Sequence, residues 1–75
     1  MGFSTLFSKD VVHARDKSGL TQAKVAELVD ISVRNYQYIE QGKCVPRGET
    51  LLKLVYLFDL DIDRYREVLG MPRSE

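Results

Sequence analysis

Apolar residues recur every three or four positions along most of this 75-residue chain, yet each such run is cut short by glycine, proline or a capping residue. That punctuation constrains the fold more than any other feature. It allows only short helices, and a helix of fewer than about 12–15 residues is marginal alone in water. Stability must therefore come from packing several of them together. No segment alternates convincingly with the period of a strand, so the pattern predicts an all-α fold, a compact five-helix bundle.

Phe7, Val11 and Ala14 mark a first helix over about 8–17, with Ser8 as its N-cap and Gly19 ending it. Thr21 caps a short second helix whose inward stripe is Val25, Ala26 and Val29. Asp30, Ile31 and Ser32 form a tight connection, and Ser32 caps a third helix over 33–41 with Tyr36 and Ile39 inward. Gly42 stops it, and 43–48 is a loop containing Pro46 and Gly48. Glu49 or Thr50 opens a fourth helix with Leu51, Leu54, Val55 and Phe58 inward. Asp61 is expected to cap a fifth holding Ile62, Tyr65 and Leu69, ended by Gly70 and Pro72. The expected organisation is a loose N-terminal arm over 1–7, one domain over 8–70 and a tail over 71–75.

Size and composition bound the rest. The chain is long enough for one modest core and no more. Cys44 is the only thiol, so no intrachain disulfide is available, which fits a cytoplasmic setting. The N-terminus is not basic and no apolar run approaches the roughly 20 residues of a membrane span, so neither a signal peptide nor a membrane partner is expected. Formal net charge is zero. Its distribution is uneven: residues 1–48 carry seven basic and five acidic side chains, residues 49–75 four and six. Such a balance counts against a blunt, charge-driven nucleic-acid binder and leaves room for one that relies on specific contacts.

The informative segment is 20–43. Two short helices are joined by about three residues, a small Ala26 stands where they approach, and Ile31 plugs the turn. Helix neighbours lie three and four apart, so Val33, Arg34, Gln37, Tyr38 and Gln41 share the outward side of the third helix. A projecting helix with a polar and aromatic face suits a major groove.

This segment resembles the Cro/lambda-repressor-like (XRE-type) helix-turn-helix family. The resemblance is carried by Leu20-Thr21-Gln22, Val25-Ala26, Ile31-Ser32, the run Ile39-Glu40-Gln41-Gly42-Lys43, then Pro46 and Glu49-Thr50-Leu51, and it spans about 8–69. It implies a lambda-repressor-like fold and sequence-specific binding of double-stranded DNA by a small transcriptional regulator, a repressor above all. Base readout would fall to Val33, Arg34, Gln37 and Tyr38. Phosphate contact would fall to Gln22, Gln41, Lys43 and Arg47, and a structural ion pair to Arg15 and Glu40. Three positions depart from the family: Asp30 replaces the usual turn glycine, and Leu28 and Tyr56 stand where polar residues are common.

Plainer readings stand beside these. Val33 and Tyr38 also read as ordinary surface, Arg34 as a solvated charge, Gln22 as a helix-start residue, and Lys43 and Arg47 as loop charge. His13 has no second histidine to join it, and the group Asp59, Asp61, Asp63 lacks the rest of a calcium loop, so no metal is expected. No nucleophile–base pair or phosphate-cradling loop occurs; the chain reads as a non-enzyme without cofactor or small-molecule ligand. A single short recognition helix touches too few base pairs to select one site, so a homodimer on an inverted-repeat operator is expected. Its contact would lie in the acidic C-terminal half, at Leu60 and Arg64. Two alternatives stay open: a protein-interaction module on the same fold, and an antitoxin or controller protein.

Overall fold

The computed structural model describes residues 2–71, and among them the chain forms five helices and no strand. They are α1 (Phe3–Ser18), α2 (Gln22–Leu28), α3 (Val33–Glu40), α4 (Gly48–Phe58) and α5 (Arg64–Val68). Local chemistry sets most boundaries. Gly19 takes the left-handed conformation at φ 72° and turns the chain out of α1. The Thr21 hydroxyl accepts from the Lys24 amide at 3.0 Å and that of Ser32 from the Asn35 amide at 3.0 Å, opening α2 and α3. Asp30 makes the turn between them at φ 61°, standing in for glycine. Asp59, at φ 52°, ends α4 in the same way.

The core is Phe7, Val11, Val25, Ala26, Val29, Tyr36, Ile39, Leu54 and Tyr65. α1 is the shared wall: α3, α4 and α5 all pack on it, while α2 packs on α3. No helix among the described residues is long and apolar enough to cross a membrane.

Several expectations need correction. The segment expected as a loose arm is helical from Phe3, and Ser8 is not an N-cap but a buried mid-helix residue whose hydroxyl donates to the Thr5 carbonyl at 2.9 Å. Tertiary packing accounts for the extension. Phe3 stacks on Phe7 with centroids 5.4 Å apart and meets Tyr65 edge-on at 5.2 Å, and the Ser4 hydroxyl donates to the Gly42 carbonyl at 2.8 Å. The fifth helix starts at Arg64 rather than after Asp61, because the Asp61 carboxylate accepts from the Asp63 amide at 3.1 Å and holds a turn there. Ile62 and Leu69, expected inside, are 62% and 54% exposed; Tyr65 alone of the three is buried, filling the slot beside Phe3 and Phe7. Finally, α4 begins at Gly48 and α3 ends at Glu40, with Gln41 as its cap. Pro72 and the rest of the expected tail after Met71 lie outside the described residues.

Candidate nucleic-acid interface

α2, the Asp30–Ser32 turn and α3 form one packed unit. The Ile31 amide donates to the Ala26 carbonyl at 3.0 Å, and Ala26 is buried where the two helices meet. Tyr36 and Ile39 fasten the inner side of α3 to the core. Its outer side carries Val33, Arg34, Tyr38 and Gln41, all exposed, with Gln37 half-buried at the edge facing α2. The Lys43 amide donates to the Tyr38 carbonyl at 3.0 Å, so the loop bearing exposed Lys43 and Arg47 leaves directly from the end of this helix, anchored by a buried Pro46.

At the inner end of α3 the Glu40 carboxylate, only 7% exposed, gathers donors from all three helices. Arg15 Nε donates to Oε2 at 2.6 Å and a terminal guanidinium nitrogen to Oε1 at 3.3 Å. Gln22 Nε2 donates to Oε1 at 2.9 Å, and the Tyr36 hydroxyl donates to Oε2. Arg15 is itself steadied by the Leu20 carbonyl at 3.1 Å. Burial by itself would push the Glu40 carboxyl up; hydrogen bonds from Arg15, Tyr36 and Gln22 outweigh it and hold the group below its ordinary value. The hydrogen bond to Glu40, and then the charge of that carboxylate, raise the Arg15 guanidinium against the opposing effect of burial. Burial, then the hydrogen bond to Glu40, raises the Tyr36 phenol. Every buried side-chain polar atom among the described residues has a partner, as a stable charged cluster requires.

The network reaches the outer face. Gln22 Oε1 accepts from Gln37 Nε2 at 3.2 Å, so the start of α2 and the middle of α3 form one surface. One turn apart on α3, Arg34 Nε donates to the Tyr38 hydroxyl at 3.2 Å, which aims the guanidinium along the helix before any ligand arrives. The structure thus places two hydrogen-bonded pairs on this face, Gln22 with Gln37 and Arg34 with Tyr38, and leaves Val33 and Gln41 exposed at the two ends of α3. Leu60 and Arg64 lie elsewhere: Leu60 packs half-buried on the core, and Arg64 pairs with Asp10 of α1 at 3.2 Å.

Two arrangements go beyond the roles expected from the sequence. The Tyr36 hydroxyl belongs to the Glu40 cluster as well as to the core, although its position four residues before Glu40 is a usable signal. Asp10 also accepts from the Tyr65 hydroxyl at 2.8 Å, joining α1 to α5 across 55 positions, for which no local signal exists. Cys44 and His13 are exposed, and among the described residues no His, Cys, Asp and Glu side chains are grouped to hold a metal ion.

Residues 12–73 match a known family, the helix-turn-helix domain. Comparison with curated proteins and with solved structures returned no match.

Proposed function

The chain belongs to the helix-turn-helix domain family, and from that premise we propose that it is a cytoplasmic, sequence-specific regulator that binds double-stranded DNA and represses transcription. The observation that carries this reading is the outer face of α3. Exposed Arg34 is oriented by Tyr38, Gln37 by Gln22, and the helix beneath them is fastened to α1 and α2 through Glu40. Side chains ordered in advance lose less entropy on binding, which is what a chain of zero net charge needs. Val33, Arg34, Gln37 and Tyr38 read base edges in the major groove; Gln22, Gln41, Lys43 and Arg47 hold phosphates.

The chain acts as a homodimer on an inverted repeat, with its two recognition helices about 34–36 Å apart. The exposed apolar side chains Leu52, Tyr56, Ile62 and Leu69 of the acidic C-terminal half support a contact there. Leu60 and Arg64 line a separate groove against α1 with Asp10 and His13, and the contact we propose extends to them. With its charge already matched by Asp10, Arg64 enters such a contact by packing rather than as an unpaired cation.

Selection of bound sequences from random duplexes tests the reading. Enrichment of one inverted repeat, with affinity falling steeply as salt rises, is the expected result. No enrichment at any salt concentration sinks it. A protein-contact module is the second reading, favoured by Leu28 at 47% and Tyr56 at 81% exposure; its partner binding would be nearly indifferent to salt.

A further inference from the structure

We infer that Gln37 is an adenine-reading residue and that Glu40 sets the polarity of its amide through Gln22. The inference rests on the DNA-binding reading above and assigns one base to one side chain.

The chain of reasoning starts at the carboxylate. An ionised Glu accepts hydrogen bonds and donates none. Glu40 is enclosed and already holds the Arg15 guanidinium, so it accepts the Gln22 amide only through its nitrogen, at 2.9 Å. Reversing that amide would set two oxygens against each other in a sheltered site. Gln22 Oε1 is therefore turned toward α3, where Gln37 Nε2 donates to it at 3.2 Å. The constraint passes on. One N–H of Gln37 is committed, and the amide has left one N–H and one carbonyl oxygen: a single donor beside a single acceptor.

Only one base uses both on one major-groove edge. Adenine presents the N7 acceptor beside the N6 amino donor. Guanine presents two acceptors, N7 and O6, and would set O6 against Gln37 Oε1. Cytosine offers only a donor, and thymine an acceptor beside a methyl group. A freely rotating glutamine can turn both of its N–H groups toward guanine; this one has spent the first. Gln37 is half-buried and ordered at the edge of the exposed face, so its discrimination is built before DNA binds. Gln22 and Glu40 are positioning residues for that readout.

The test compares base preferences of the wild-type chain, Gln37→Ala and Gln22→Met, by selection from random duplexes and then titration of every single-base variant of the selected site. Wild type is expected to select adenine at the position that Gln37→Ala flattens, losing an adenine-over-guanine preference of about tenfold there and nowhere else. Gln22→Met is expected to lower that same ratio while leaving the position read by Arg34 unchanged. Thermal melting verifies that both half-buried substitutions leave the fold intact. A uniform affinity loss in Gln37→Ala, or any base other than adenine at the flattened position, overturns the inference and leaves DNA binding standing. An adenine preference untouched by Gln22→Met overturns the relay. A wild-type chain that selects no sequence overturns the DNA-binding reading, and this inference with it.

Discussion

Arg15 Nε and Glu40 Oε2 stand 2.6 Å apart across 25 positions of chain, in a two-pronged pair that joins the first helix to the third. Their side chains are 18% and 7% exposed, so the pair is sheltered rather than solvated. Breaking it leaves the other charge without its main partner. Arg15→Ala is expected to lower unfolding free energy by about 3–5 kcal/mol, as for a sheltered pair. Denaturant unfolding measures it; a loss under about 1 kcal/mol, typical of a surface pair, would contradict the burial argument.

The same carboxylate makes stability depend on acid. The folded pKa of Glu40 is depressed, through hydrogen bonds from Arg15, Tyr36 and Gln22 that outweigh burial. A depressed acid contributes stability that is fully present above its unfolded pKa, about 4.3, and is lost as pH falls through the lower folded value. Wild type should therefore exceed Glu40→Gln in stability at neutral pH, and the gap should shrink steadily below about pH 4. Unfolding of both chains across that range is the check, and a gap that stays constant with pH refutes it.

On the recognition face, Arg34→Ala is expected to relax sequence preference at one or two base pairs, costing about 1–3 kcal/mol against the preferred site. Tyr38→Phe removes the hydroxyl that accepts from Arg34 Nε. Its loss should be smaller and fall at a base pair that Arg34→Ala also affects. Competition binding against single-base variants distinguishes the two, and a profile unchanged by Arg34→Ala would remove that arginine from base readout.

Lys43→Ala, in the loop leaving α3, should act differently. A phosphate contact is blind to sequence, so binding should weaken alike on every duplex and the salt slope should fall by about one counterion. Affinities measured over a series of salt concentrations decide it; a slope identical to wild type would show that Lys43 touches no phosphate.

Asp30 holds a left-handed turn at φ 61° that glycine adopts without steric penalty. Asp30→Gly is expected to stabilise the fold by up to about 1 kcal/mol, the relief of strain being partly offset by a freer unfolded chain. Thermal melting tests this, and a lower Tm in the variant would show that aspartate contributes more to the turn than strain costs.

What was legible in the sequence is what local chemistry decides. Thr21 and Ser32 announce helix starts because their hydroxyls satisfy amides a few residues away, and Gly19 announces a stop because it enters the left-handed region freely. The inward positions of Val25, Tyr36 and Ile39 and the outward positions of Arg34 and Tyr38 follow from helical spacing for the same reason. The tertiary structure alone decided the rest. Whether Phe3 frays or continues a helix depends on Tyr65, far along the chain, and it is that tyrosine, rather than Leu69, that is buried beside Phe3 and Phe7. The chain through Glu40, Gln22 and Gln37 is likewise invisible one residue at a time, because an amide has no preferred polarity until a buried charge from another helix gives it one.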